Sequence, residues 1–344
     1  MPEDLLIRDS LAIMERPTTL EARSIAPPPL LAVRDLTVDV RSALGPVRLV
    51  DGVSFSIGKG ERVALVGESG SGKSVTAQAL MRLNEEMHLG GWIELGGENL
   101  LALNRRQMTA VRGSRMGMVF QDPMSSLDPL MTIGDQVAET LRLRGVSARQ
   151  AKQRALAVLD ELRVDRAAER LRAYPHEFSG GMRQRVVLAM ALVGDPELLI
   201  ADEPTTALDV RVQERVLDLL DEIARRRGLA VLLITHDLGI VAGFADRVLV
   251  MYSGRIVEQN LADDLFREPR HPYTRGLLEA VPRVDRTAER LSAIPGSPPV
   301  PSDRPGGCHF NPRCSRAMEL CRAVAPDDIV AGASHVRCHL YGVR

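Results

Sequence analysis

The stretch GESGSGKS at residues 67–74 decides the fold of this chain. It fits the pattern G-x-x-x-x-G-K-[S/T], which cradles the phosphates of a nucleotide. The apolar run at residues 63–66 is typical of a buried strand, and apolar residues recur at helical spacing after residue 74. Because strand, glycine-rich loop and helix are the context that the motif requires, we predict a nucleoside triphosphate site here.

The residue types in this loop explain the expected binding. Glycines let backbone N–H groups turn toward phosphate oxygens, and the start of the following helix adds partial positive charge. Lys73 is expected to reach the β and γ phosphates, and the Ser74 hydroxyl to ligate Mg²⁺. The alternative, a Gly- and Ser-rich surface turn, is disfavoured by the strand and helix signals around it. The residues expected to contact the nucleotide are Gly67, Glu68, Ser69, Gly70, Ser71, Gly72, Lys73, Ser74 and Val75.

Composition limits the possible classes of function. With 344 residues the chain is long enough for more than one folded unit. Its formal net charge of −1 gives no general attraction to nucleic acid or anionic lipid. No apolar run approaches the ~18 residues that span a bilayer, and the N-terminus lacks the features of a secretory signal. We therefore expect a soluble, cytosolic chain.

Three units are predicted along the chain. Residues 1–29 show little periodicity and end in a proline run, which indicates a mobile extension. Residues 30–260 carry strand signals, then an all-helical insert at about 122–193, then alternating strands and helices. This alternation predicts an α/β fold with a parallel sheet between helices. Residues 261–344, rich in proline and holding every cysteine, indicate a separate C-terminal module.

The apolar pattern also marks individual elements. Short apolar runs bounded by turn residues predict strands, and longer amphipathic or apolar stretches predict helices. The predicted strands are residues 31–40, 47–57, 62–66, 92–95, 116–120, 198–201, 230–234 and 248–252. The predicted helices include residues 148–162, 185–193, 210–227 and 238–245.

Two acidic residues follow the predicted strand at 198–201. Asp202 lies where a buried strand ends and is expected to hold Mg²⁺ through water. Glu203 is expected to point toward the γ phosphate and to polarise the attacking water. Two acids that merely close a strand are the alternative. Combined with the phosphate loop, the pair predicts hydrolysis of a nucleoside triphosphate.

The stretch FSGGMRQR at residues 178–185 resembles the LSGGQ signature of the ATP-binding subunits of ABC transporters. Phe178 and Met182 replace the outer residues of that signature. The retained residues are Ser179, Gly180 and Gly181. They precede an apolar helix whose N-terminus can bind an anion. In the resembled family this site faces the γ phosphate held by the opposing subunit, so the resemblance implies a dimer, either homomeric or heteromeric.

The resemblance implies a P-loop, ABC-type nucleotide-binding domain with a RecA-like mixed-sheet core, an antiparallel β subdomain and a helical subdomain, followed by a small C-terminal module with the cysteines. Further motifs follow in the order of that family. Gln121 resembles the Q-loop residue that senses Mg²⁺ and the membrane partner, and Asp209 resembles the D-loop residue that connects the two ATP sites. His236 resembles the switch histidine that contacts the γ phosphate and orients water. The chain departs from the family at Val40, where an aromatic residue usually stacks on adenine. Either stacking is weak there or the loop at residues 41–46 is offset.

The cysteines form a second candidate site, spaced C-x₅-C-x₆-C-x₁₆-C. A cytosolic location disfavours disulfides, and four thiolates suit Zn²⁺ or an iron–sulfur cluster. Free structural thiols are the third reading. The four residues are Cys308, Cys314, Cys321 and Cys338, and the spare ligand candidates are His309, His335 and His339.

Longer phrases resemble one branch of the family, the oligopeptide and dipeptide importer ATPases. They are FQDPMSSLDP at 120–129, HPYTRGLL at 271–278, IPGSPP at 294–299 and GCHFNPRC at 307–314. The resemblance extends from about residue 30 to the end of the chain. It implies a four-iron four-sulfur cluster on the cysteines, because members of that branch carry one there.

The same resemblance implies a transport function. ATP would close two such subunits and drive two membrane permeases to import a peptide delivered by an extracytoplasmic binding protein. The chain would then lie peripherally on the cytoplasmic face of the cell membrane, with no nucleic acid partner. Nickel and glutathione importers share much of the pattern and are the alternative. A soluble ABC ATPase that acts on ribosomes or DNA is disfavoured, because the paired ATP-binding units or long coiled coils of that class are not seen.

Overall fold

Two β-sheets organise the chain in a computed structural model that describes residues 28–43, 45–122, 126–205, 209–280, 294–331 and 334–342. The strands are β1 (Leu31–Ser42), β2 (Gly45–Ile57), β3 (Arg62–Val66), β4 (His88–Leu95), β5 (Glu98–Asn99), β6 (Met116–Val119), β7 (Leu198–Asp202), β8 (Ala230–Thr235), β9 (Arg247–Tyr252), β10 (Arg255–Leu261), β11 (Ile329–Ala331) and β12 (Ser334–Val336). Most of the predicted extension over residues 1–29 lies outside the described residues.

Helices connect the strands and form one separate group. They are α1 (Lys73–Met81), α2 (Arg105–Val111), α3 (Ile133–Leu143), α4 (Ala148–Glu161), α5 (Ala167–Arg170), α6 (Gly180–Leu192), α7 (Val210–Arg227), α8 (Leu238–Phe244), α9 (Ala262–Arg267), α10 (Pro272–Glu279) and α11 (Glu319–Ala323). Within the described ranges, none of these helices has both the length and the apolar character that a bilayer crossing requires.

The larger sheet positions the phosphate loop. Its strand order is β11-β12-β10-β9-β3-β8-β7-β6, and the strands from β9 to β6 run parallel. Strands β3, β7 and β8 are buried along almost their whole length, as expected for a parallel sheet covered on both faces. Their carboxyl ends therefore lie side by side at one edge, where ligands bind in open α/β sheets.

The remaining parts of the predicted architecture are also present. A smaller antiparallel sheet has the order β2-β1-β4-β5, and α3 to α6 form the helical subdomain. Helices α3 and α4 begin where the Thr132 and Ser147 hydroxyls accept N–H groups of the first turn. The prediction of an α/β nucleotide-binding fold with a mixed sheet, an antiparallel sheet and a helical subdomain is confirmed.

Several element bounds differ from the sequence prediction because cross-strand pairing extends the elements. Strand β4 begins at His88 instead of residue 92, since His88 pairs with Asp39 of β1. Residues 41–46, read as a loop, belong largely to β1 and β2, with Val40 opposite Val47. Polar residues join a strand when a neighbour offers hydrogen bonds, which no single-strand pattern reveals.

The segment after residue 261 packs onto the nucleotide-binding unit. Strand β12 pairs with β10, which places Glu258 opposite Val336 and extends the larger sheet. Tyr273 and Phe310 share an apolar cluster with Val66 at the end of β3. The cysteine-containing segment thus shares a sheet and a core with the rest of the chain, and the proposed boundary between residues 260 and 261 stays a prediction.

Candidate nucleotide-binding site

The phosphate loop joins β3 to α1 and fits its surroundings only with glycine at particular positions. Gly72 precedes α1 with φ of 107°, a conformation that L side chains rarely adopt. A Cβ atom on Gly67 would lie 2.2 Å from the Met251 carbonyl oxygen of β9. The loop therefore passes close to the backbone of the neighbouring parallel strand.

Lys73 lies buried at the start of α1 and folds back over the loop. Its Nζ donates to the carbonyl oxygens of Gly67, at 2.7 Å, and Glu68, at 2.9 Å. Burial lowers the pKa of Lys73, while the charges of Glu203, Asp202 and Glu68 act in the opposite direction. This places an ammonium group at the loop, where it can bind phosphate oxygens.

Ser74 and Asp202, each predicted to hold Mg²⁺, form a hydrogen bond with each other. The Ser74 hydroxyl donates to Asp202 Oδ1 at 3.0 Å. Asp202 is buried at the end of β7, and burial raises its pKa. Serine and carboxylate oxygens are the hard donors that Mg²⁺ prefers, so the two side chains could hold this ion together.

Glu203 lies between the two other polar side chains singled out by the sequence. Its Oε2 accepts a hydrogen bond from Gln121 Nε2 at 3.0 Å, and its Oε1 lies 3.1 Å from His236 Nδ1. These residues follow β6, β7 and β8, which are neighbours in the sheet. Glu203 has φ of 45°, an uncommon value for a residue other than glycine, and its N–H donates to Ile234 O. Strained backbone of this kind clusters at functional sites.

The signature residues occupy the start of α6. Ser179 caps the helix by accepting the Met182 N–H, and Gly180 and Gly181 form its first turn. Within the described part of the chain, no hydrogen bond or ion pair joins these three residues to the phosphate loop. Ser179 and Gly180 are exposed and Gly181 is half-buried, which leaves the helix start open to another molecule.

The predicted D-loop is described only at its last residue, because residues 206–208 are outside the described ranges. Asp209 is exposed and caps α7, accepting the Val212 N–H at 3.0 Å. Val75 is half-buried and packs against the apolar core beneath the loop. The contacts that Asp209 and Val75 are predicted to make with nucleotide stay a proposal.

Comparison with known proteins identifies the family. A family model described as "ABC transporter" matches residues 50–206, and one described as "Oligopeptide/dipeptide transporter, C-terminal region" matches residues 257–321. The oligopeptide transport ATP-binding protein OppD of Salmonella typhimurium is 48% identical over 311 residues, covering 89% of this chain and 93% of that protein. This chain belongs to the ABC transporter ATP-binding proteins.

Other relatives agree with this assignment. The oligopeptide transport ATP-binding protein AppD of Bacillus subtilis is 46% identical over 317 residues, 91% of this chain and 97% of that protein. Among solved structures, the dimeric ATP-binding cassette MJ0796 bound to ADP and phosphate has a TM-score of 0.61 and 26% identity, covering 67% of this chain and 98% of that chain. The ABC protein described here is therefore an ATPase.

The sequence did not single out several residues that contact the phosphate loop of this ABC protein. Arg313 forms two hydrogen bonds to the Glu68 carboxylate, and the Tyr273 hydroxyl accepts the Glu68 N–H at 2.8 Å. The Gly254 N–H donates to the Ser71 carbonyl at 2.8 Å. Tyr273 and Arg313 lie in the phrases at 271–278 and 307–314, which served only to establish the resemblance to the importer branch.

The four cysteines line one cavity of the ABC protein, together with His271 and His339. They are free thiols; Cys321 and Cys338 are buried, and Cys308 and Cys314 are half-buried. Burial raises the pKa of Cys338 to about 11.

The cysteine site is not assembled as a metal centre. Nowhere in the described ranges are three His, Cys, Asp or Glu side chains arranged so that they could hold a metal ion. The spare ligand candidates make other contacts: His309 Nδ1 with Ser253 O at 3.0 Å, His335 Nδ1 with Asp328 at 3.4 Å, and His339 Nε2 with Val324 O at 2.8 Å. The predicted iron–sulfur cluster or Zn²⁺ site therefore stays a prediction.

Proposed function

We propose that this ABC protein is the ATP-hydrolysing subunit that energises import of di- and oligopeptides across the cytoplasmic membrane through two permease subunits. The placement of Glu203 between Gln121 and His236 carries the catalytic part of the proposal. The match of residues 257–321 to the oligopeptide/dipeptide transporter C-terminal region supports the peptide cargo. The names of relatives such as OppD and AppD point to the same cargo.

The chain's own residues supply the chemistry of hydrolysis in this proposal. Backbone N–H groups of the phosphate loop and the Lys73 ammonium bind the phosphates. Ser74, Asp202 and Gln121 would hold Mg²⁺, which neutralises charge on the β and γ phosphates. Their oxygen donors fit this hard ion, since Ser74 and Asp202 already lie in contact. Glu203 accepts the proton of the attacking water.

His236 and the signature complete the proposed site. His236, 3.1 Å from Glu203, orients the water and contacts the γ phosphate. The start of α6 in each subunit, with Ser179, Gly180 and Gly181, faces the nucleotide of the partner subunit, and Asp209 lies between the two sites. The dimeric MJ0796 cassette supports this pairing. The ABC protein then lies peripherally on the cytoplasmic face of the membrane and receives the peptide signal from an extracytoplasmic binding protein through the permeases.

The cysteine cavity is proposed to hold a four-iron four-sulfur cluster, with Zn²⁺ as the alternative. Four thiols that line one cavity fit the soft ligand preference of both groups. Binding requires that Cys308, Cys314, Cys321 and Cys338 lose their protons and adjust their side chains. The bound group would tie together the segments that carry the four cysteines.

The cluster proposal predicts the effect of Cys314→Ser. We expect the variant to lose most of the iron that co-purifies with the parent under anaerobic conditions, because a hydroxyl is a poor iron–sulfur ligand. We also expect easier proteolysis of the segment after residue 294. Metal analysis and the visible absorption spectrum measure the first effect, and limited proteolysis the second.

The neighbouring exposed residue provides the control, Ser315→Ala, which should keep the parent's iron content. Equal metal content in Cys314→Ser and the parent would contradict the ligand assignment. Zinc in the parent would support the alternative, and a parent without any metal would refute both.

The cargo is tested by ATP hydrolysis in liposomes that contain this subunit, its partner ATPase and both permeases. Binding protein loaded with di- to oligopeptides should raise hydrolysis several-fold over unloaded binding protein. Stimulation by nickel complexes or glutathione alone would move the protein to those importers. If no loaded binding protein stimulates ATP hydrolysis, the transport proposal is contradicted. Activity on ribosomes or DNA would favour a soluble ABC ATPase.

A further inference from the structure

The phosphate loop of this protein contains an acidic residue close to where the triphosphate binds. Glu68 is the second residue of the loop, and its carbonyl accepts a hydrogen bond from Lys73 Nζ at 2.9 Å. An unpaired carboxylate here would repel a bound phosphate, because like charges a few ångströms apart disfavour each other in a partly buried site. The chain therefore needs a cation for Glu68.

Arg313 is that cation. Its Nη1 donates to Glu68 Oε2 at 2.6 Å and its Nη2 to Oε1 at 2.9 Å, a bidentate pair. The Arg313 side chain is only 5% exposed, whereas that of Glu68 is 27% exposed. The contact joins residues 245 positions apart, from the cysteine segment to the phosphate loop.

The remaining donors of Arg313 fix its orientation. Nε donates to Pro295 O at 2.9 Å, Nη1 also reaches the Tyr252 hydroxyl at 3.4 Å, and Nη2 reaches Ile294 O at 3.5 Å. These contacts occupy the five N–H groups of the guanidinium. A lysine, with three donors on a flexible chain, could keep the charge but could not reproduce this arrangement.

Other contacts hold the same part of the loop. The Glu68 N–H donates to the hydroxyl of Tyr273. The Tyr273 ring is buried, and its centroid lies 5.3 Å from the centroid of the Phe310 ring. His309 Nδ1 lies 3.0 Å from the Ser253 carbonyl oxygen. Gly254, which follows Ser253 in the chain, donates its N–H to Ser71 O. The segment between Cys308 and Cys314 thus contacts the loop directly at Glu68 and, through Ser253 and Gly254, indirectly at Ser71.

We propose that Arg313 is a positioning residue of the ATP site: it neutralises Glu68 and holds its carboxylate away from the phosphates, so that the C-terminal segment sets the affinity for ATP. The inference rests on the proposed nucleotide site. It assigns a role in nucleotide binding to a residue outside the phosphate loop, the carboxylates at the sheet edge and the signature.

The test is Arg313→Met, which removes the charge and keeps an apolar chain of similar reach. We expect its KM and Kd for ATP to rise about tenfold, with a much smaller change in kcat, because the chemistry at Glu203 is untouched. The loss of affinity in Arg313→Met should be largest for ATP, smaller for ADP and least for AMP. Arg313→Lys should lie between Arg313→Met and the parent.

A double-mutant cycle separates charge neutralisation from a merely structural role. In the Glu68→Gln background the carboxylate is gone, so adding Arg313→Met should change the ATP Kd less than about twofold. Arg322→Met, at an exposed arginine of the same segment, is the control and should match the parent. Melting curves of every variant confirm that each one is folded.

Two results would overturn the inference. One is an ATP Kd of folded Arg313→Met equal to that of the parent. The other is an equal tenfold rise in the ATP Kd when Arg313→Met is introduced into the parent and into the Glu68→Gln background. A parent protein that binds no ATP would instead refute the nucleotide site itself, so the two failures are distinguishable.

Discussion

Replacing Glu203 with glutamine is expected to slow ATP hydrolysis by about 10²- to 10³-fold while ATP still binds. The amide keeps the size of the side chain and can still hydrogen-bond to Gln121 and His236, which lie 3.0 and 3.1 Å from the carboxylate. It cannot accept the proton of the attacking water. Since ATP is expected to close two subunits together, a variant that binds ATP without hydrolysing it should accumulate as an ATP-bound closed dimer.

Steady-state phosphate release, ATP binding and size-exclusion chromatography with ATP measure these effects. Glu319→Gln, at an exposed acid in α11, serves as the matched control and should hydrolyse ATP like the parent. Hydrolysis by Glu203→Gln within threefold of the parent would show that Glu203 is not the base.

Replacing Gly67 with alanine is expected to abolish measurable ATP binding and to lower the melting temperature by about 5 °C. The added Cβ would lie 2.2 Å from the Met251 carbonyl oxygen. This atom belongs to the backbone of β9, which pairs with β3 along the larger sheet, so it cannot move aside as a side chain would. The loop must shift instead, and its N–H groups then miss the phosphate oxygens.

Gly228→Ala isolates the effect of the clash. Gly228 also has positive φ, at 62°, but a Cβ there would meet no atom within 4 Å. The Gly228→Ala substitution should lower the free energy of unfolding by about 1 kcal/mol, through backbone strain alone, and leave ATP binding unchanged. Calorimetry of ATP binding and thermal melts compare the two variants. ATP binding by Gly67→Ala at the parent's affinity would contradict the close packing of the loop against β9.

Local patterns were sufficient for much of the fold and for part of the candidate site. The hydrophobic pattern predicted a helix at Val210–Arg227 and a strand at Arg62–Val66, which are the bounds of α7 and β3 in the structure. The prediction that Asp202 and Glu203 lie at the edge of the sheet also agrees, because strand ends follow directly from where an apolar run stops. Element bounds failed where strand pairing extends into polar residues, as at His88.

By itself, then, the sequence determined the phosphate loop, the order of the motifs and the α/β class, because glycine spacing and hydrophobic periodicity act over a few residues. Tertiary structure alone decided that Glu203 meets Gln121 and His236, and that Arg313 meets Glu68. Such contacts join positions 33 to 245 residues apart. They depend on which strands become neighbours and on how the C-terminal segment packs against the sheet, and no local pattern encodes either.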